Sequence, residues 1–316
     1  ENSKGNTKLT DISYNGQALS SRALCIGVYE DGANETIYWF VNDPTFGVTS
    51  PTDKLDLILS YNTSTGVTTY HVISVNDGGE INTSLNFNSE YLITGVELVD
   101  DLLFFTDNYN PPRFINVNRS YASPSLDGGV LNDFDGQPAT LVKALQVVKQ
   151  PPLAAPTISL ETIPGDDTFI EDEFWCFAYR YKYQDGEYSA TSQFTEAAFT
   201  PKPFDFSMTS YLNEGMVNLF NSIDIGFNTG DSLVTDIELL YKKNDDITIR
   251  VIESLNKDDL GYANNATVSY AFSVSKIFTV LPQSEILRLY DNVPLLSQAE
   301  TVMGNRLMYG NYVEGY

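Results

Sequence analysis

At 316 residues the chain can hold two or three domains with a sizeable core, and 42% hydrophobic against 19% charged residues excludes a disordered chain. The 42 acidic and 18 basic residues leave a formal net charge of −24, which repels phosphate backbones and anionic membranes and excludes sequence-specific DNA binding. Such a surface serves solubility, and it also suits the wall of a conduit through which DNA slides without sticking.

Residues 1–22 are polar and rich in turn formers and predict an extended entry segment. It opens on Glu1 with no signal-like run, so Glu1 is expected to be internal to a longer precursor. A meander of strands follows at 23–29, 36–41, 55–61 and 67–75, with turns at Glu30-Asp31-Gly32 and Ser64-Thr65-Gly66. Four antiparallel strands in about fifty residues match one propeller blade. A second blade is predicted from strands at 91–99, 102–106 and 113–117. Its turn, DNYNPP, combines residues that bond their own backbone with two prolines that fix φ. Arg113 stands where it can reach back to Asp107, a pair that reads as a hairpin staple rather than a catalytic dyad.

The pentapeptide inside this hairpin recurs. Tyr38-Trp39-Phe40-Val41-Asn42, Leu103-Phe104-Phe105-Thr106-Asp107 and Leu307-Met308-Tyr309-Gly310-Asn311 each place four apolar or small residues before a turn-forming Asn or Asp. Each follows another strand, the third of them a short run at 301–303. Repeated strand-turn-strand units of this kind predict propeller blades.

After Asn118 the regularity fails. Asp133 and Asp135 have the spacing of part of a calcium loop but lack its remaining ligands and closing Glu, so calcium is not expected there. A short helix is predicted at 138–148, and Pro151, Pro152 and Pro156 mark a domain boundary. Beyond it, FWCFAYRYKY (174–183) places Trp175, Phe177, Tyr179, Tyr181 and Tyr183 on one face. The other face begins buried and ends wet at Arg180 and Lys182. A return strand at 188–195 and further strands at 222–227, 235–242, 248–254, 267–274 and 286–290, with a helix at 208–220, fit a β-sandwich. The blade pattern resumes at 301–316. The expected organisation is all-β: an entry segment at 1–22, β-propeller blades at 23–150, an inserted fibronectin- or immunoglobulin-like β-sandwich at 151–296, and a return to the propeller at 297–316. Two blades and a fragment cannot close a ring, so the remaining blades are expected from further residues of the same product or from another chain.

Signals for chemistry are sparse. The lone histidine, His71, lies within a strand and reads as structural rather than as a general base. No GxSxG elbow, phosphate loop or dinucleotide fingerprint occurs. Glycoside hydrolysis needs two acids about 5 to 10 Å apart. The adjacent pairs Asp100-Asp101, Asp166-Asp167, Asp245-Asp246 and Asp258-Asp259 all fall near predicted turns and read as solvated. Trp39 and Trp175 could stack on sugars but sit mid-strand, where packing is expected. Cys25 and Cys176 read as buried free thiols in different domains, and with no CxxC or Cys/His cluster a structural zinc is excluded. The sequon Asn62-Thr63-Ser64 reflects an Asn- and Thr-rich composition. No run is long enough to cross a bilayer. The sequence thus assigns no catalytic, cofactor-binding or metal-binding residue, and no enzyme activity.

Taken together, CIGVYED (25–31), IYWFVND (37–43), LLFFTDNYNPPRFINV (102–117), FAYRYKYQDGEYSA (177–190) and MGNRLMYGNYVEGY (303–316) resemble the tail muzzle proteins of crAss-like bacteriophages. More distantly the chain is similar to the tail nozzle proteins of short-tailed phages. The resemblance implies a virion structural protein at the distal end of the tail tube, assembled with copies of itself in a six-fold ring. That ring closes the channel before infection and passes DNA, without specific binding, during genome ejection. It also implies contacts with tail fibres and neighbouring ring or tube proteins. The alternative is an extracellular glycan-binding or glycan-hydrolysing propeller, which requires an exposed Trp or Tyr in a concave site near paired acids.

Overall fold

The computed structural model describes residues 8–14, 16–46, 54–76, 84–119, 121, 138–165, 169–204, 208–209, 216–243, 246–274, 278–286, 293–304 and 306–315. The chain is mostly β, in several antiparallel sheets, and divides into two compact units. One comprises Glu1–Val147 with Asn292–Tyr316; the other, Val148–Asp291, is inserted between those two segments of sequence.

In the first unit the entry segment is more than extended. β1 (Ser13–Tyr14) and β2 (Gln17–Ala18) pair around Gly16, whose φ of 73° favours a residue without a Cβ. Tyr14 meets Phe46 edge-on at 5.7 Å and joins Val41, Leu55, Leu57, Leu59, Ile73 and Val75 in one apolar cluster. Those residues come from a four-stranded meander of β3 (Leu24–Asp31), β4 (Thr36–Asp43), β5 (Lys54–Asn62) and β6 (Val67–Asn76). Leu55, Leu57 and Leu59 alternate along β5 toward the cluster, while Ile58 is fully buried on the other face, so this strand is covered on both sides. β3 is an edge strand, with a register shift between Cys25 and Gly27. Contrary to the expectation of a buried thiol, Cys25 is exposed there; Cys176 is buried, and both are free.

The second sheet is β7 (Gly95–Val99), β8 (Leu102–Thr106) and β9 (Arg113–Asn116). β7 starts at Gly95 rather than Tyr91, because Ile93 instead donates its amide to Ile26 of β3 at 2.9 Å. A Cβ on Gly27 would lie 2.8 Å from the Ile93 Cβ, so glycine is what permits this approach. Helix α1 (Pro138–Leu145) follows, with Leu141, Ala144 and Leu145 buried at helical spacing.

The inserted unit contains β10 (Thr157–Glu161), β11 (Trp175–Tyr183), β12 (Ser222–Asn228), β13 (Val234–Lys243), β14 (Arg250–Asn256), α2 (Lys257–Leu260), β15 (Thr267–Phe272), β16 (Thr279–Val280) and α3 (Gln283–Ile286). These build two sheets, β10-β12-β15 and β11-β13-β14-β16. Phe272 of β15 joins them, its ring 5.3 Å from Trp175, 5.5 Å from Phe177 and 5.8 Å from Tyr241. Several local expectations are corrected here. Arg180 is buried rather than wet, because its cross-strand partner Glu238 accepts from Nε at 2.5 Å and Glu285 of α3 accepts from Nη1 at 2.6 Å. Residues 217–220 are not helical, Met216 belongs to a 3-10 turn, and residues 205–207 and 210–215 lie outside the described residues. Ile286 ends α3 rather than opening a strand, and 287–290 are also outside the described residues.

The return from β11 is not a strand either. The amides of Ser189, Ser192, Thr195 and Ala198 donate to the carbonyls of Tyr181, Tyr179, Phe177 and Trp175 at 2.8 to 2.9 Å. The hydroxyls of Ser189, Ser192 and Thr195 accept in turn from the amides of Tyr181, Tyr179 and Phe177 at 3.0 to 3.1 Å. This segment uses three residues for every two of β11, a pitch that no β-ladder has.

Back in the first unit, β17 (Leu296–Met303) and β18 (Arg306–Val313) form a hairpin. It begins well before the expected onset at Thr301. β17 packs on β7 and β8, and β7 packs on β3. The three copies of the pentapeptide therefore occupy the same place in three sheets, on or at the end of the second strand: β4, β8 and β18. Among the described residues no helix is long and apolar enough to cross a membrane.

Candidate functional site

The densest polar constellation lies at the turn between β8 and β9. One Asp107 oxygen accepts from the amides of Tyr109 at 3.0 Å and Asn110 at 2.7 Å, the hydrogen-bond pattern of an Asx turn. The other oxygen accepts from Asn110 Nδ2 at 2.6 Å and Arg113 Nη2 at 3.0 Å. Asn108 takes the left-handed conformation, φ 54°, which Asn tolerates. Pro111 and Pro112 then carry the chain into β9.

Arg113 is buried and reaches beyond its own hairpin. It donates to the Leu85 carbonyl and, at 3.4 Å, to that of Ser84, and its guanidinium lies 5.3 Å from the Phe87 centroid and 5.1 Å from that of Phe105. Burial pulls its pKa down, while Asp107 and then Asp56 push it up. Asp56 of β5 closes the network: it accepts from Asn42 Nδ2 at 2.7 Å and the Phe87 amide at 3.0 Å, with Lys54 Nζ at 3.2 Å. Burial nevertheless raises the Asp56 carboxyl above its ordinary value. On the other side, Thr106 Oγ1 at 2.6 Å and the Asn108 amide at 3.0 Å both donate to the Ser297 carbonyl of β17. A turn expected to staple one hairpin thus ties three sheets together. Sequence reasoning found Asp107 and Arg113 but missed Asp56 and Asn42. The repeat held the signal, since Asn42 is the counterpart of Asp107.

The other candidates remain apart. His71 is buried, its Nε2 2.8 Å from Ser60 Oγ, and burial lowers its pKa to about 4 against a hydrogen bond to the Val117 backbone. Asp100 and Asp101 occupy an exposed turn. Asp258 and Asp259 lie in the first turn of α2, where the Asn256 side chain caps their amides. Thr248, then Arg250, holds Asp246 down to about 2. Asp166, Asp167, Asp245, Asp133 and Asp135 lie outside the described residues. Trp175 is 2% exposed and Trp39 is half-buried, stacked on Tyr61 at 6.2 Å. The Asn62 side chain is engaged in its own turn, accepting from the amides of Ser64 and Thr65. Among the described residues no three His, Cys, Asp or Glu side chains cluster to hold a metal ion.

Apolar side chains are accessible as well. The exposed rings of Tyr91 and Tyr109 meet at 4.8 Å in a tilted pair, and the register of the last hairpin puts Met303, Met308 and Tyr312, all exposed, on one face. This arrangement supplies contact area and rigidity. No protein-family model, no curated protein and no solved structure matches the chain.

Proposed function

We propose that the chain is a structural subunit of a bacteriophage tail, part of the muzzle or nozzle ring that closes the distal end of the tail tube and opens for genome ejection. The carrying observation is the stack of three sheets, with β7 packed on both β3 and β17 and a copy of the pentapeptide on each second strand. First strands lying side by side are the arrangement of propeller blades, and the inserted unit, two sheets around Phe272, serves as a sandwich-like module. Among the described residues β18 pairs with β17 alone, and its outer face carries exposed methionine and tyrosine, a surface suited to a further blade or another subunit. The net charge of −24 fits a channel wall that does not retain DNA. Partners on this reading are copies of itself in a six-fold ring, neighbouring tail proteins and fibres, in the virion.

The glycan-directed alternative is less well served. Trp175 is buried, Trp39 is spent on Tyr61, and the described acid pairs occupy separate turns. Peptide mapping and gold labelling of purified particles test the proposal: the polypeptide is expected at the tail tip, in ring stoichiometry. Its absence from tails, or glycan hydrolysis by the isolated chain, would refute it.

A further inference from the structure

Glu300 is the one acid on β17, and it points into the seam where that strand lies on β7. It is 7% exposed, and among the described residues neither carboxyl oxygen has a hydrogen-bond partner. The seam is tight. A Cβ on Gly95 would lie 2.6 Å from the Glu300 amide nitrogen, 3.0 Å from Glu300 Cγ and 3.1 Å from a Thr106 methyl. The strand is fixed on either side of the acid by Thr94 Oγ1 donating to the Gln298 carbonyl at 2.6 Å and Thr301 Oγ1 donating to Glu97 at 2.9 Å. The carboxyl therefore cannot swing to water while the hairpin stays seated.

No cation faces it. β8 carries no titratable group and β7 only Glu97; β18 carries Arg306, Tyr309 and Tyr312, the last exposed and, by the register, on the face opposite to Tyr309. Arg306 is exposed beside the turn, opposite Met303, and Tyr309 is the direct cross-strand partner of Glu300. The Tyr309 hydroxyl is buried too, with no partner among the described residues, and burial, then Glu300, raises its pKa. An ion in this seam would meet one further carboxylate and one phenol, and nothing to balance it.

We propose that Glu300 is a proton-controlled latch: protonated, it lets the β17–β18 hairpin seat on β7 and β8, and its ionisation releases the hairpin from them. The inference does not rest on the phage reading. Burial, and secondarily Glu97, holds the seated carboxyl at about 8, against an ordinary 4.5. The seated form therefore binds a proton that the released form has lost throughout that interval, so release is favoured as pH rises through it and levels off above pH 8.

Amide hydrogen exchange of β17 and β18 in the full chain, expressed as protection relative to the intrinsic rate at each pH, tests this. Protection is expected to fall by up to about ten-fold per pH unit between pH 5 and pH 8. In Glu300→Gln it is expected to be flat with pH. In Glu97→Gln, which removes the facing charge and keeps an acceptor for Thr301, the fall should level off at a lower pH. Protection in the wild type that does not change with pH, or an equal slope in Glu300→Gln, overturns the latch. Should Glu300→Gln not fold, the Glu97→Gln profile decides, and one superimposed on the wild type overturns it.

Discussion

Phe40 of β4 and Phe105 of β8, occupants of the same position in two copies of one pentapeptide, meet with their ring centroids 5.1 Å apart. Their counterpart in the third copy is Tyr309, the cross-strand partner of Glu300. The repeat is therefore a packing device in which one position supplies the ring for each sheet-to-sheet seam. Arg113, 5.1 Å from the Phe105 centroid, locks the first of these seams with charge.

Arg113→Ala is expected to destabilise the first unit by about 3 to 5 kcal/mol, because it removes a buried cation and leaves the Asp107 carboxylate and the Leu85 carbonyl underbonded. Urea unfolding followed by Trp39 in a Trp175→Phe background isolates this unit. A loss below about 1 kcal/mol would contradict the role given to the turn.

Gly95→Ala should cost about 1 to 3 kcal/mol, since the new methyl group collides with the Glu300 backbone rather than with a flexible side-chain end. Gly32→Ala, where a Cβ meets nothing within 4 Å, is the control and should stay within about 0.5 kcal/mol of the parent. Thermal melting of the two variants side by side gives the answer.

His71 should make the protein acid-sensitive. Its folded pKa, about 4, lies below the ordinary 6.5, so the unfolded chain binds the extra proton between those values. Stability is unaffected by this group above about pH 6.5 and falls as pH drops toward 4, by up to about 1.4 kcal/mol per unit. It is the sole histidine, so its imidazole proton signals can be titrated without assignment. A midpoint near 6.5 would sink the prediction. The sign is opposite to that of Glu300, and stability of the first unit should peak where the two intervals overlap, between pH 4.5 and 6.5.

Ser192→Ala removes the hydroxyl that accepts from the Tyr179 amide, and should destabilise the inserted unit by about 1 to 2 kcal/mol. Trp175 fluorescence in a Trp39→Phe background reports it. A change confined to the first unit would be inconsistent with the geometry.

The sheets were largely legible because their strands carry either period-two apolar alternation, as in 55–61, or a short apolar and aromatic run, as in 102–106, bounded by turn residues. The Asp107–Arg113 pair was legible because turn chemistry is local. What escaped was non-local or out of period. Cys25 sits in a strand whose position at the sheet edge no window can reveal. Arg180 looked solvated because Glu238 and Glu285 approach from distant sequence. Glu300 looked like one acid among many, and only the backbone approach at Gly95 makes it unusual. The segment at 188–195 follows a hairpin turn, as a returning strand would, but its bonding hydroxyls Ser189, Ser192 and Thr195 recur every three residues and not every two.

That triplet spacing has a consequence for how copies of the molecule can meet. β11 ends its sheet, yet the outward amides of Phe177, Tyr179 and Tyr181 and the carbonyls of Trp175, Phe177, Tyr179 and Tyr181 are already engaged by a winding ribbon that is not itself a strand. The ribbon offers no ladder of its own for a neighbour to extend. At high local concentration the inserted unit is therefore insulated against templated polymerisation along that border, and neighbouring molecules must recognise it through side chains instead.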